Sequence, residues 1–225
     1  MWIGDDGLAA PARLATRWRV GSDSLRAAGL ARSDQIDWSR AVVDSCSIRA
    51  VYGGDQTGPN PTDRAKCGSK RHLICDGRGV PLAVHLTGAN RNDSQEALPL
   101  VDAIPPLQGA RGRPRQRPDC VLGDRGYDAA AIRRGLRERH IVPWVAMRRT
   151  AHGSGLGRWR WVVERTFAWL NQFRRLRIRY DRRADIHEAF LSLGCVLICC
   201  SSYEMVGGQV ECLVPFSVVG PGWHH

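Results

Sequence analysis

A chain of 225 residues, 43% of them hydrophobic, is long enough to bury one real core, with at most a small appendage beside it. Its 33 lysines and arginines against 22 acids leave a net charge of +11, which argues against basic partners and points to nucleic acid. The start, Met1 to Asp6, has neither the basic nor the apolar region of a signal peptide, and no run reaches the ~18 apolar residues of a membrane span.

Residues 1–39 mix Pro, Gly, Arg and Ala without a period and are read as an irregular segment, with a weak helix at about 24–30. A first strand is expected from Arg40 to Asp44, with Cys46 to Val51 continuing it. The Gly-, Pro- and Asn-rich stretch from Tyr52 to Gly68 reads as a loop. A hairpin follows: Lys70 to Cys75, a turn at Asp76-Gly77-Arg78-Gly79, and a return strand from Val80 to Thr87. Pro81 cannot donate to a ladder, which puts the return strand at a sheet edge or makes Pro81 its start.

Asp93 or Ser94 is expected to cap a helix that ends before Pro105-Pro106. A basic loop at 109–118 leads to a strand from Cys120 to Asp124, a helix from Tyr127 to about Arg139, and a short strand from Ile141 to Met147. Two helices close the pattern, at about 158–173 and 184–200, and residues 201–225 read as a loose tail. The apolar run from Phe190 to Cys200 belongs to the last helix, as a buried segment. Strands that give way to alternating helices and strands predict a mixed sheet with helices packed on it.

Eight cysteines contain no C-x-x-C pair, and several sit in apolar runs, so they read as reduced, core-filling side chains in a cytosolic protein. His72, His85 and His140 read as strand or surface residues, and His187 as polar helix surface.

Three carboxylates stand apart. Asp44 and Asp124 each end an apolar run, and Glu164 lies in a helix rich in Trp and Arg. A carboxylate at a buried strand end costs several kcal/mol unless it finds a proton, a cation or a metal. Phosphodiester cleavage needs an activated water and a stabilised leaving oxygen, and two Mg²⁺ ions about 4 Å apart, held by a few hard oxygens, supply both. In that reading Asp44 bridges the ions, and Asp124 and Glu164 hold one each. Plainer roles stay open: Asp124 as a turn cap, Asp44 as a hydrogen-bonded strand residue, and Glu164 as the ion-pair partner of Arg160 or Arg165. Nine arginines lie between 158 and 183, and they suggest a groove for a DNA backbone, with Arg160, Arg165, Arg174, Arg175, Arg177 and Arg179 as contacts. Trp159, Trp161 and Trp169 read mostly as core, with base stacking as the alternative.

The stretch from Arg160 to Arg183 resembles the C-terminal signature of insertion-sequence transposases of the DDE type, IS-five group. So do Val42-Val43-Asp44-Ser45, the hairpin from Lys70 to Asp93, and Leu122-Gly123-Asp124-Arg125-Gly126-Tyr127-Asp128, so that the likeness covers about residues 36–200. It implies an α/β ribonuclease H-like mixed sheet with helices on both faces, spanning 40–200. It also implies Mg²⁺ (with Mn²⁺ as substitute) held by Asp44, Asp124 and Glu164, and cleavage and strand transfer of an insertion sequence. Element ends and target DNA would be the partners, a homodimer would act during the reaction, and the setting would be cytoplasmic and nucleoid-associated, with no membrane partner.

Relatives carry a Tyr, Arg, Glu, Lys pattern around the glutamate. Here Arg160 and Glu164 match, while Gly157 stands for the Tyr and Asn171 for the Lys. A helical DNA-binding region usually precedes the first Asp. With 43 residues before Asp44, the expectation is a truncated or frameshifted copy with residues 1–39 as a remnant. The alternatives are an impaired remnant that only binds DNA, or a non-enzymatic basic nucleic-acid-binding protein.

Overall fold

The computed structural model describes residues 35–108, 112–149 and 157–204. The weak helix at 24–30 and the tail from 205 lie outside them.

Strand β1 (Ala41–Arg49) is the centre of the sheet. On one side β1 pairs antiparallel with β3 (Cys67–Asp76), which pairs antiparallel in turn with β4 (Pro81–Gly88) and with the two-residue β2 (Gly58–Pro59). On its other side β1 pairs parallel with β5 (Cys120–Gly123), and β5 pairs parallel with β6 (Val142–Val145). An antiparallel three-strand unit followed by parallel strands reached through helices is the ribonuclease H-like arrangement. Pro81 opens β4, which pairs with β3 alone, so the missing N–H breaks no inner ladder.

The alternation of β1 decides which helices pack where. Ala41 and Val43 face a core shared with α1 (Asp93–Ala103) and α2 (Ala130–Glu138), through Leu100, Val101, Ile132 and Leu136. Val42 faces the other side, a core shared with Leu122 and with α3 (Gly157–Gln172), through Val162, Val163, Phe167 and Leu170. Helices therefore cover both faces. The short α4 (Arg174–Arg177) inserts Leu176 into the second core, and α5 (Ala184–Glu204) adds Leu191, Cys195 and Ile198 there and Cys199 and Cys200 to the first. Among the described residues one helix, at Ala184–Ser202, is long and apolar enough to cross a membrane by length and composition. Its side chains Leu191, Cys195, Ile198, Cys199 and Cys200 pack into the two cores.

Several expected boundaries move. The core begins before Ala41, because Ile36 and Trp38 are buried in it. The last helix absorbs residues 201–204 of the expected tail. Asn92, not Asp93 or Ser94, caps α1 by accepting from the Ser94 N–H. Asp93 turns instead to Lys70, 2.9 Å away. The helix expected from Tyr127 is split: Arg125–Tyr127 form a 3₁₀ turn, and α2 starts at Ala130. His187 is no surface residue but fully buried.

Candidate active site

The parallel register sets two of the three carboxylates side by side. Val42 of β1 is level with Leu122 of β5, so Asp44 and Asp124, each two residues further on, stand at the same height on the α3 face of the sheet. The strand β1 runs through Asp44 to Arg49, in line with the continuation expected from Cys46 to Val51. Asp44 thus sits mid-strand, with its side chain about one-fifth exposed. Its Oδ1 accepts from the Ser45 N–H at 2.8 Å, and its Oδ2 faces Arg160 Nη2 at 3.3 Å.

Burial holds the Asp44 carboxyl above the ordinary carboxylate range, and the charge on Asp124 pushes the same way. The Ser45 N–H and the Arg160 guanidinium pull against them. The site therefore disfavours its own negative charge, and a cation beside Asp44 relieves it. Asp124 is indeed a cap: its Oδ1 accepts from the Gly126 N–H at 2.8 Å and starts the 3₁₀ turn. That uses one oxygen of two.

Glu164 is exposed on α3, one turn after Arg160 and on the same flank. The ordinary helix ion pair does not form, since Arg160 is turned to Asp44 and Arg165 donates to the Arg78 carbonyl. Among the described residues, no three of His, Cys, Asp and Glu gather closely enough to hold a metal ion. Hard carboxylate oxygens fit a divalent cation at desolvated Asp44 and neighbouring Asp124, but Glu164 is not drawn in with them.

Tyr127 was missed as a site residue. It is 1% exposed, and burial, then the charges of Asp44, Asp93 and Asp124, raise its phenol far above the usual range, against a hydrogen bond with the Ser45 side chain that pulls it back. The only sequence signal was an aromatic residue three positions after Asp124.

The expected arginine groove is only partly present. Arg174, Arg175 and Arg177 are exposed around α4, with Arg175 3.4 Å from Asp181. Arg165 is half-buried, its guanidinium about equidistant from the rings of Trp161 and Trp169 at 4.5 and 4.6 Å. Trp161, 49% exposed, stacks on that arginine rather than filling the core, while Trp169, like Trp159, also packs against the core on the α3 side. Arg179 does not belong to any DNA-facing surface. It is fully buried and donates to Ser69 Oγ at 2.7 Å and to the carbonyls of Gln56, Asp181 and Arg182. The strand-like segment around it bridges to Ala50, and this use of its guanidinium inside the fold is why it cannot reach a phosphate.

The profile of the family described as the transposase DDE domain matches residues 39–199. The chain is 56% identical over 204 residues to the transposase assigned to insertion sequence element IS402 of Burkholderia cepacia, an alignment that covers 88% of this chain and 95% of that protein. It is 27% identical over 129 residues to the transposase for insertion sequence element IS1106 of Neisseria meningitidis serogroup B, with 53% of this chain and 40% of that protein covered. Among solved structures, a piggyBac transposase synaptic complex with hairpin DNA is similar with a TM-score of 0.48 at 11% identity, over 77% of this chain and 49% of that one.

Proposed function

The chain belongs to the transposase DDE domain family, and from that premise we propose that Asp44, Asp124 and Glu164 are its catalytic carboxylates, acting on the ends of an insertion sequence. The observation that carries the reading is the level placement of Asp44 and Asp124 on adjacent parallel strands, with Asp44 held in a state that favours a cation beside it.

The family's polynucleotidyl transferase chemistry depends on a divalent metal, and Mg²⁺, with Mn²⁺ as substitute, is the ion proposed here. When bound, it would lower the pKa of an attacking water or 3′-hydroxyl and offset charge on the leaving oxygen. Asp44 and Asp124 would hold it through the oxygens not engaged by Ser45 and Gly126. Glu164 would complete the set by rotating its exposed side chain, which no ion pair among the described residues restrains. Arg160 would then leave Asp44 and turn its fork to a phosphate oxygen. Arg174, Arg175 and Arg177 would hold the strand, with Arg165 a lesser contact because its carbonyl bond and two rings restrain it.

The first step would free a 3′-OH at an element end, and the second would direct it onto target DNA. Handling two ends makes a homodimer the expected working form, in the cytoplasm and against the nucleoid. The catalytic unit is proposed to span 40–200, as expected from the sequence.

The test is nicking of DNA carrying the element's ends, with Mg²⁺ or Mn²⁺ present. Wild-type protein cuts, and Asp44→Asn binds the same DNA without cutting it. Cutting that survives Asp44→Asn removes the site assignment. Binding without cutting by the wild type identifies a DNA-binding remnant.

A further inference from the structure

Asp44 and Asp124 can share a cation only while their separation holds to within about 0.5 Å. The ladder between their strands does not secure it. β1 and β5 pair at Ala41 with Val121 and at Val42 with Leu122, and among the described residues the pairing goes no further. Both aspartates therefore lie two residues past the last rung, where the charge of Asp124 works against that of Asp44. Something outside the ladder has to hold these strand segments together.

Tyr127 occupies that gap. Its backbone N–H donates to the Asp124 carbonyl at 3.1 Å, which closes the 3₁₀ turn that Asp124 also caps through Gly126. Its ring lies on Gly123: a β-carbon there would come within 3.2–3.3 Å of Tyr127 Cβ and two ring carbons, so only a residue without a side chain lets the ring in. Its hydroxyl is hydrogen-bonded to the Ser45 side chain. Ser45 in turn donates its backbone N–H to Asp44 Oδ1 at 2.8 Å. One residue thus links the turn that carries Asp124 to the strand segment that carries Asp44.

The link is made from behind. Ser45 alternates with Asp44 along β1 and faces the first core, to which Tyr127 belongs, while the two carboxylates face α3. Burial and the nearby charges keep the phenol protonated, so it adds no negative charge to the pair. The outer side of the turn is fixed separately. Arg148 donates from Nε to the Arg125 carbonyl at 2.8 Å and from Nη2 to the Gly126 carbonyl at 3.2 Å, and its backbone N–H donates to Asp128 Oδ2 at 2.6 Å. A turn held this firmly passes any displacement of Tyr127 on to Asp124. Filling the core needs only the ring, and a buried hydroxyl carries a desolvation cost that phenylalanine avoids.

We propose that Tyr127 is a positioning residue, a strut between β5 and β1 that sets the spacing of Asp44 and Asp124 and with it the fit of the site to Mg²⁺. The proposal rests on reading these two carboxylates as metal ligands. Mg²⁺ demands near-ideal octahedral geometry, so it is the first ion to suffer when the spacing drifts, and the larger Mn²⁺ is more forgiving.

The test compares wild type, Tyr127→Phe, Ser45→Ala, Asp44→Asn and Val101→Ala, the last a core substitution on α1. Mn²⁺ binding is read without DNA from the electron paramagnetic resonance signal of the free ion, and Mg²⁺ affinity from competition against it, well below every melting temperature. Wild type binds Mn²⁺, and Asp44→Asn binds it far more weakly. Tyr127→Phe and Ser45→Ala each weaken Mg²⁺ about tenfold and Mn²⁺ only about threefold. Val101→Ala melts lower than the wild type but binds both ions equally well. Wild-type affinities in Tyr127→Phe, or the same losses in Val101→Ala, overturn the strut and leave the metal site standing. If Tyr127→Phe does not fold, Ser45→Ala decides by the same criterion. A wild type that binds no Mn²⁺, or binding untouched by Asp44→Asn, overturns the strut and the carboxylate assignment together.

Discussion

Arg160 Nη2 lies 3.3 Å from Asp44 Oδ2, so the chain supplies its own cation to the most constrained carboxylate of the site. Both side chains are about four-fifths buried. Removing Arg160 as Arg160→Ala leaves a desolvated carboxylate alone and is expected to cost about 1–3 kcal/mol. A divalent ion can take over the vacated position. Added Mg²⁺ or Mn²⁺ should therefore raise the melting temperature of Arg160→Ala more than that of the wild type. Equal shifts in the two proteins would mean that Arg160 and the ion do not share Asp44.

Asp124 carries two duties that substitution can separate. Asn at this position keeps an oxygen for the Gly126 N–H, and Ala does not. Asp124→Asn is expected to match wild-type stability, and Asp124→Ala to lose about 1 kcal/mol. Both should lose cleavage more than about a hundredfold, since a metal's stabilisation of the reaction is worth several kcal/mol. Chemical denaturation and a nicking assay on the same samples read the two effects apart. Cleavage retained in Asp124→Asn would leave only the capping role.

Two arginines of the basic stretch should behave in opposite ways. Arg179→Ala strands four hydrogen-bond partners inside the protein and is expected to cost about 3 kcal/mol or more, a fall of roughly 10 °C in melting temperature. Arg174→Ala lies on the surface, and is expected to leave stability within about 0.5 kcal/mol while it weakens DNA binding. Calorimetry and anisotropy decide the matter.

Acid should weaken the fold through two buried histidines. His72 and His187 are fully buried, and burial lowers both to about 4. In the unfolded chain they titrate near 6.5. Above that pH both states are neutral and the histidines are silent. As pH falls from 6.5 toward 4, the unfolded chain takes up protons that the folded chain refuses, and stability drops by about 1.4 kcal/mol per pH unit for each histidine. Asp44 and Asp76, raised by burial, act in the opposite sense as they approach protonation. Both ring nitrogens of His187 lack partners, so His187→Phe sacrifices no hydrogen bond. It should lose about 2 kcal/mol less than the wild type between pH 6.5 and 5 in urea titrations. Parallel acid limbs would contradict the assignment.

Much of this architecture is readable from local pattern. The alternation of Ala41-Val42-Val43, the two-glycine turn after Asp76 and the helical spacing in α3 and α5 each belong to short stretches of chain. What was not readable depends on partners far away in sequence. The pairing of Gly58–Pro59 with Gly68 and Cys67 hides in a breaker-rich loop, because two residues carry no period. Arg179 looks like its exposed neighbours until Ser69 and the carbonyl of Gln56 close around it. His187 was assigned to the surface for its polarity, yet it is packed near Arg71 and Arg179. The three candidate carboxylates stood out because each broke a pattern: two ended apolar runs, and the third stood amid tryptophans. Their register, through Val42 and Leu122, was beyond the reach of spacing alone.

Arg160, Glu164 and Asn171 ride on one unbroken helix, α3. Each residue gained or lost in that helix would swing everything beyond it by about 100°. Substitutions can therefore accumulate between these three positions over generations, whereas insertions and deletions cannot. Residues 112–115, exposed between α1 and β5, are free of that constraint and are where related elements are expected to differ in length.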